Sequence, residues 1–292
     1  MVNTETATTR DIKPLQAADA SALCPLSKEA GWNQVAGDWR LMLTLGQGVG
    51  SQAADGRWIG SALTLPLGPT LGWISMVLVT KSARGKGLGT ELLSRCLMLA
   101  QASGRLAGLD ATEFGRPIYL PLGFVDVFTL ARWHCQAPPR AAVAPPPGVV
   151  VRTTAPEDLV EIIAYDRCRS GFARDAILAD LASRSAGFAH LARRRSGDLA
   201  GFVLGRDGDR SWHLGPVVAE DEATALALLS AAAAALAKPL IVDVPDRHRQ
   251  LKAWLAAAGA SAPRRFTRMV RGRADQVDDA QRVFALAGPE LG

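Results

Sequence analysis

One order of predicted strands and helices occurs twice along this chain of 292 residues. Each copy begins with a short strand, a polar turn and an amphipathic helix, near residues 10–19 in the first half and 151–158 in the second. Two apolar strands follow, of which the second begins at Trp73 or Trp212; a helix, a strand and a short helix ending in glycine complete each copy. A repeat of this length predicts two domains of one fold, in which strands alternate with helices.

The two copies are separated by a segment rich in proline. Residues 137–148 contain five prolines, which remove backbone donors and favour an extended conformation. Because structureless loops of this length are uncommon inside a compact domain, we interpret the segment as a linker; a surface loop within one domain is the alternative. The predicted divisions are a first domain at 1–137, a linker at 138–148 and a second domain at 149–292.

The composition is that of a folded globular chain, with 48% hydrophobic and 21% charged residues. Lysine and arginine exceed aspartate and glutamate by 33 to 28, and this net charge of +5 suits an anionic ligand without requiring nucleic acid. The most apolar long stretch, near residues 223–237, is mostly alanine, so no segment is predicted to cross a membrane. Four widely spaced cysteines and four histidines without ligand spacing predict neither disulfides nor a metal site, and fit a reducing cytoplasm.

The most informative segment lies at residues 77–97. A predicted strand ends near Val79, and a loop with three glycines leads into a helix whose apolar residues follow helical spacing. Such a loop binds anions, because glycine lets the backbone approach closely and the helix N-terminus carries a partial positive charge, to which Arg84 and Lys86 add full charges. The spacing differs from the P-loop and from the dinucleotide fingerprint, and a glycine turn that only caps the helix is the alternative.

The residues Arg-Gly-Lys-Gly-Leu-Gly at 84–89 resemble the signature of the GNAT N-acetyltransferase superfamily. The preceding strand, the following helix, a strand through Asp110 and a later Tyr-x-x-Leu-Gly-Phe at 119–124 stand in the order of that family. The resemblance implies an α/β (α+β) fold in which each half is a mixed, mostly antiparallel sheet flanked by helices. It also implies that acetyl-CoA is the co-substrate, held at its pyrophosphate by loop amides and along its pantetheine by a splayed strand. The implied contacts are Val77, Leu78, Val79, Arg84, Gly85, Lys86, Gly87, Leu88, Gly89 and Thr90.

The resemblance further implies direct transfer of the acetyl group to a primary amine. Tyr119 has the position of the tyrosine that protonates the leaving thiolate in that family, and a half-buried packing residue is the alternative. Asp110 and Glu113 lie on and after the strand that borders the substrate cleft, so they are the candidates for a general base. Helix capping or surface charge explains either carboxylate equally well.

The acceptor side of the site is less clearly patterned. Glu29, Trp32 and Asp38 follow the first helix, where relatives build substrate pockets, and an aromatic and acidic pocket would suit an amine. Ser75 lies on the central strand and faces either the cleft or the core. Packing of a short helix pair is the structural alternative. We expect a small-molecule amine or a protein lysine as acceptor, and a monomer or a homodimer.

The second half retains the order of elements but not the glycine loop. At the corresponding position it reads Ala-Glu-Asp-Glu-Ala at 219–223, and these carboxylates would repel a pyrophosphate at the helix N-terminus. We therefore expect acetyl-CoA to bind in the first half alone. A non-catalytic acyl-CoA-binding sensor or interaction module is the alternative to an enzyme.

Overall fold

The computed structural model describes residues 11–140, 142–171, 173–236, 238–272 and 281–292, and its elements follow the predicted repeat. The first half contains β1 (Ile12–Leu15), α1 (Ala20–Glu29), α2 (Ala36–Leu45), β2 (Gln47–Gln52), β3 (Trp58–Leu67), β4 (Leu71–Val79), α3 (Leu88–Ala102), β5 (Leu106–Thr112), α4 (Arg116–Tyr119) and β6 (Phe124–Cys135). The second half contains β7 (Val149–Thr153), α5 (Leu159–Ser170), α6 (Asp175–Arg184), β8 (His190–Arg194), β9 (Leu199–Arg206), β10 (Trp212–Ala219), α7 (Glu222–Ala235), β11 (Leu240–Pro245), α8 (Arg249–Ala257), β12 (Ser261–Arg271) and β13 (Val283–Ala285). The order is the same in both halves, and β13 is an addition to the second.

The strands form one continuous sheet in the order β1-β2-β3-β4-β5-β12-β6-β11-β10-β9-β8-β7, and β13 pairs with β10. The pairs β4–β5 and β10–β11 are parallel, and the other pairs are antiparallel. The predicted fold class, a mixed and mostly antiparallel sheet flanked by helices, is therefore confirmed.

The two halves exchange their long last strands at the centre of the sheet. β12 of the second half lies between β5 and β6, and β6 of the first half lies between β12 and β11. Each half thus receives the strand that borders its fifth strand from the other half. The described residues of the predicted linker, 138–140 and 142–148, have neither helix nor strand. The division of the chain into two domains at this linker stays a prediction, because the sheet itself runs through both halves.

Helices cover both faces of the sheet. On one face, called the α1 face below, α1, α2, α5 and α6 pack on a core that both halves share and that buries Trp39 and Leu178. On the opposite face, called the α3 face, α3 covers the first half, and α7 with α8 covers the second. The sequence of α3 explains its orientation, since Leu88, Leu92 and Cys96 recur every four residues and form one buried apolar stripe.

Candidate active site

Strands β4 and β5 open a gap in the middle of the first half. They pair in parallel only from Leu71 to Trp73 on β4, and the structure describes no ladder pair between them beyond Trp73. Met76 has a φ of +51°, and the register between β3 and β4 shifts between Ser61 and Leu63, so a bulge bends β4 at this point. The Ser61 hydroxyl donates to the Met76 carbonyl oxygen at 2.8 Å and holds the bulge in place. Past the bulge, backbone groups of β4 face the gap instead of a neighbouring strand.

A cavity of about 910 Å³ occupies this gap. Some of its lining side chains, including Leu93 and Tyr119, belong to the packing on the α3 face. Others, including Trp32 and Phe266, belong to the packing on the α1 face. The cavity therefore reaches both faces of the sheet, and two ligands can approach one point from opposite sides.

The glycine loop lies at the cavity edge and begins α3. Gly85 and Gly87 have φ of +73° and +80°, a left-handed conformation that side chains other than glycine rarely adopt. Gly87 is the N-cap of α3, so the first N–H groups of the helix have no carbonyl partner within it and carry its positive dipole end. Arg84 folds back, and its Nε donates to the Val79 carbonyl oxygen at 3.0 Å. A Cβ built on Gly85 would meet no atom within 4 Å, so the loop is open to a ligand.

Nine of the ten predicted cofactor contacts line the cavity, and the tenth, Lys86, is exposed on the same loop. The nine are Val77, Leu78, Val79, Arg84, Gly85, Gly87, Leu88, Gly89 and Thr90. The loop and strand are therefore arranged as a site for an anionic group attached to an extended chain.

Tyr119 lines the cavity on the α3 face. It ends α4, which is a single turn that has Pro117 as its second residue and is followed by Pro121 in a 3₁₀ turn. The Tyr119 ring lies 5.8 Å from the Phe124 ring, between their centroids. Burial raises the pKa of Tyr119 to about 12, so its phenol is protonated at neutral pH and can donate a proton.

Asp110 also lines the cavity, but its carboxylate is engaged in a buried ion pair. Its two oxygens accept from Nε and Nη2 of Arg268 at 2.9 and 2.8 Å, and both side chains are fully buried. The Arg268 guanidinium also lies 4.6 Å from the Trp73 ring centroid. Arg268 comes from β12 and stands directly opposite Asp110 in the ladder with β5. This ion pair gives Asp110 a structural role that is distinct from its predicted role as a general base.

Glu113 is exposed at the cavity and has no ion pair within the described ranges of the chain. Its carboxylate therefore differs from that of Asp110, which is paired with Arg268.

The four predicted acceptor residues separate into two groups. Trp32 and Ser75 line the cavity, and the Ser75 hydroxyl lies 3.9 Å from the Met42 sulfur. Glu29 lies outside the cavity wall, where its Oε1 accepts from the backbone N–H of Lys81 at 2.6 Å and ties α1 to the start of the loop.

Asp38 does not reach the cavity, contrary to its predicted role as an acceptor contact. It is buried, and its Oδ1 lies 2.7 Å from Arg184 Nη1 and 3.0 Å from Arg206 Nε. Its Oδ2 accepts from the backbone N–H of Val35 at 2.9 Å, at the start of α2. Because both arginines belong to the second half, Asp38 joins the halves and does not face a substrate.

Four polar side chains that line the cavity on the α1 face were not predicted from the sequence: Gln34, Arg132, Arg264 and Glu290. Glu290 belongs to the segment after β13, where the Trp73 indole N–H donates to the Pro289 carbonyl oxygen at 2.9 Å. Glu290 is buried against Arg206. Burial alone would raise the pKa of Glu290, but the charges of Arg206 and Arg132 outweigh burial and hold it below its usual value.

The matching gap in the second half is filled by protein. β10 and β11 pair in parallel only at Trp212 and His213 of β10, after which β13 pairs with β10 at Val217 and Val218. The backbone N–H of Leu286 donates to the Asp243 carbonyl oxygen of β11 at 2.9 Å, so this segment bridges both strands. At the start of α7, the Asp221 carboxylate accepts from the Thr224 N–H at 2.7 Å, in the place that an anionic ligand would take.

Two further features are absent from the residues that the structure describes. No helix there is both long and apolar enough to cross a bilayer. No three histidine, cysteine, aspartate or glutamate side chains are grouped there so that they could hold a metal ion.

Both halves of the chain match families of known proteins. Residues 43–116 match the acetyltransferase (GNAT) family, and residues 162–285 match an acetyltransferase (GNAT) domain. A Bacillus subtilis protein described as the uncharacterized N-acetyltransferase YitH is 27% identical over 241 residues, which cover 82% of this chain and 83% of that protein.

Solved structures share the architecture of the whole chain. A putative acetyltransferase from Pyrococcus horikoshii matches with a TM-score of 0.77 at 19% identity, over 100% of this chain and 99% of its own. A tandem GNAT protein from the clavulanic acid biosynthesis pathway matches with a TM-score of 0.65 at 16% identity, over 90% of this chain and 98% of its own. At these identities the likeness concerns the fold, and it confirms the predicted tandem arrangement.

Proposed function

We propose that this chain, which belongs to the GNAT acetyltransferase superfamily and carries one such domain in each half, transfers an acetyl group from acetyl-CoA directly to a primary amine. Membership of the family makes the chain an acyltransferase, and the donor, the acceptor and the site residues are the proposal. The main support for the proposal is the cavity between β4 and β5, because this one space connects an anion-binding loop to polar side chains on the opposite face of the sheet.

The residues around the glycine loop fit acetyl-CoA. The first N–H groups of α3 and the backbone at Gly85 and Gly87 would hold the pyrophosphate, since they supply donors and a positive dipole end without side chains in the way. The edge of β4 at Val77, Leu78 and Val79 would pair with the amide-containing pantetheine arm. When bound, acetyl-CoA supplies an activated acetyl thioester.

Transfer forms a bond between the amine nitrogen and the acetyl carbonyl carbon and breaks the carbon–sulfur bond, whose electron pair stays with sulfur. Tyr119 donates its phenolic proton to that sulfur, because its phenol is protonated at neutral pH. Glu113 accepts the proton that the amine nitrogen loses, directly or through water. Among the carboxylates lining the described cavity, Asp110 and Glu290 are ion-paired with arginine and Glu113 is not. Exchange with solvent then restores both groups.

Gln34 is a further candidate for contact with the amine. Its side chain is only 3% exposed and lines the cavity on the α1 face, between α1 and α2. Its Oε1 is buried and has no hydrogen-bond partner among the residues that the structure describes. A buried acceptor without a donor is unfavourable, and an N–H group of the acceptor would satisfy it.

We infer that the second half binds no acetyl-CoA. The segment after residue 281 fills its strand gap, and Asp221 caps its helix α7. One molecule of acetyl-CoA per chain follows from this arrangement. A cytoplasmic location, a monomeric or homodimeric state, and the choice between a small amine and a protein lysine remain predictions of the sequence.

Release of free thiol from acetyl-CoA tests the proposal. The full chain is incubated with acetyl-CoA and a panel of primary amines, and thiol formation is compared with the same mixtures lacking amine. We expect amine-dependent release that Tyr119→Phe lowers and that Tyr165→Phe leaves unchanged. Tyr165 is a matched control, since its hydroxyl donates to the Ala200 carbonyl oxygen in the second half. Binding of acetyl-CoA without turnover of any amine would instead support a non-catalytic acyl-CoA-binding module.

A further inference from the structure

Arg264 is a cation in the cavity wall without a counterion. Its side chain is half-buried and lines the cavity, and within the described residues it makes neither a hydrogen bond nor an ion pair. Its neighbour Arg265 also lines the cavity, but Arg265 is exposed and paired with Asp246. Burial lowers the pKa of Arg264, the charge of Arg132 lowers it further, and the opposing charge of Asp243 does not offset these two effects. The protein itself therefore provides little to stabilise the Arg264 charge.

The position of Arg264 in the sheet places a second arginine beside it. Arg264 on β12 stands directly opposite Arg132 on β6. Like charges directly opposite each other on neighbouring strands are unfavourable. Arg132 is buried and uses Nε and Nη2 to bind Asp243, at 2.8 and 2.7 Å. This pairing neutralises Arg132, and Arg264 is left as the uncompensated charge.

Two carboxylates that line the cavity are already paired with other arginines. Asp110 is paired with Arg268, and Glu290 with Arg206. Arg264, Phe266 and Arg268 are spaced two residues apart along β12, so their side chains lie on the same face of the strand. Phe266 packs in the α1-face core, and Arg268 packs over Trp73. Arg264 thus shares the α1 face with Trp32 and Gln34, whereas the glycine loop begins α3 on the other face. An anion bound by Arg264 is therefore a group of the acceptor, not the pyrophosphate of the donor.

We propose that Arg264 binds an anionic group, a carboxylate or a phosphate monoester, on the amine acceptor, so that the acceptor is a small molecule carrying both charges. The inference rests on the proposed acetyl transfer and names its substrate class. Gln34 Oε1 would accept from the amine end, and the guanidinium fork would bind the acidic end through paired N–H donors. An unmodified lysine side chain lacks the acidic group.

Matched acceptor pairs test this inference. Tyramine is compared with tyrosine, and glucosamine with glucosamine 6-phosphate, for turnover with acetyl-CoA and for binding by calorimetry to CoA-saturated protein. In at least one pair we expect the anionic member to be preferred by roughly tenfold to a hundredfold, the range for hydrogen bonds to charged groups. Arg264→Gln should bring that preference close to one, and Arg264→Lys, which keeps the charge but not the fork, should retain part of it. Arg265→Gln is the matched control and should leave the preference unchanged.

Three results would overturn the inference: equal use of both members of every pair, an unchanged preference in Arg264→Gln, or weaker acetyl-CoA binding in that variant. Faster acetylation of a lysine peptide without acidic residues would overturn it as well. Its failure is distinct from failure of the proposed function. If no amine releases thiol but the anionic compounds bind through Arg264, acetyl transfer is wrong and the anion site stands.

Discussion

Replacing Asp110 with asparagine separates two roles for this carboxylate, a general base and the partner of Arg268. The pair joins β5 to the strand that the second half contributes, and both side chains are fully buried. Breaking a buried ion pair from one side leaves an uncompensated charge and costs about 3–5 kcal/mol. Arg268 would retain its position over the Trp73 ring. An asparagine amide, however, offers Arg268 only one acceptor oxygen, where the carboxylate offers two, and its NH₂ group cannot accept a hydrogen bond.

The assay is thermal unfolding of the full chain. At about 2–4 °C per kcal/mol for chains somewhat shorter than this one, Asp110→Asn should lower the Tm by roughly 6–20 °C. The double replacement of Asp110 by Asn and Arg268 by Met should recover part of that loss, because it removes the buried guanidinium charge that Asp110→Asn leaves uncompensated. Glu113→Gln, at an exposed position of the same cavity, is the control and should leave the Tm unchanged.

Measurements of turnover should rank the Asp110 and Glu113 variants in the opposite order from measurements of stability. If Glu113 is the general base, Glu113→Gln should lower kcat by about 10²–10⁴-fold without a change in stability. Asp110→Asn should mainly lower the stability of the chain. Its activity, measured at a temperature where the variant is folded, should fall less than that of Glu113→Gln. A stable Asp110→Asn variant without activity would contradict this account and restore Asp110 as the base.

Four further predictions concern the donor side of the site. Tyr119→Phe should lower single-turnover acetyl transfer by about 10²–10⁴-fold with acetyl-CoA affinity unchanged; an unchanged rate would make Tyr119 a packing residue. Because the pKa of Tyr119 is raised to about 12, its phenol stays protonated as pH rises, so wild-type single-turnover rates should not fall between pH 7 and 10; a fall that Tyr119→Phe abolishes would contradict the shift. Gly87→Glu should weaken acetyl-CoA binding at least tenfold by calorimetry, through backbone strain at φ +80° and charge repulsion; Gly104→Glu, at the other end of α3 with φ +68°, is the control and should leave binding unchanged. The wild-type chain should bind one acetyl-CoA. Two equivalent binding sites per chain would refute the inference that the second half binds none.

Local patterns were sufficient to predict the repeat and the glycine loop. The loop lies between a strand and a helix that are adjacent in sequence, and its glycines determine its conformation within a few residues. These features need no information from distant parts of the chain.

Sequence patterns are least informative for residues whose partners are distant in sequence. Asp110 and Arg268 are 158 residues apart, and Asp38 and Arg184 are 146 apart. An acidic residue near a predicted pocket looks the same in sequence whether it faces substrate or a buried arginine. Glu290 and Arg264 were not predicted for the same reason, because only the pairing of β12 with β5 and the path of the chain after β13 bring them to the cavity.

The exchanged strands give a physical reason for a second half that lacks the glycine loop. Without β12, β5 would lose its antiparallel partner and Asp110 its counterion, so the gap beside β4 would have no second wall. The same strand brings Arg264 and Phe266 to the cavity, and the segment after β13 brings Glu290. The proposed donor side is thus built from the first half, and much of the proposed acceptor side from the second. If the proposed function holds, we expect substitutions in the second half to change which amine is acetylated while the groups around the thioester stay in place.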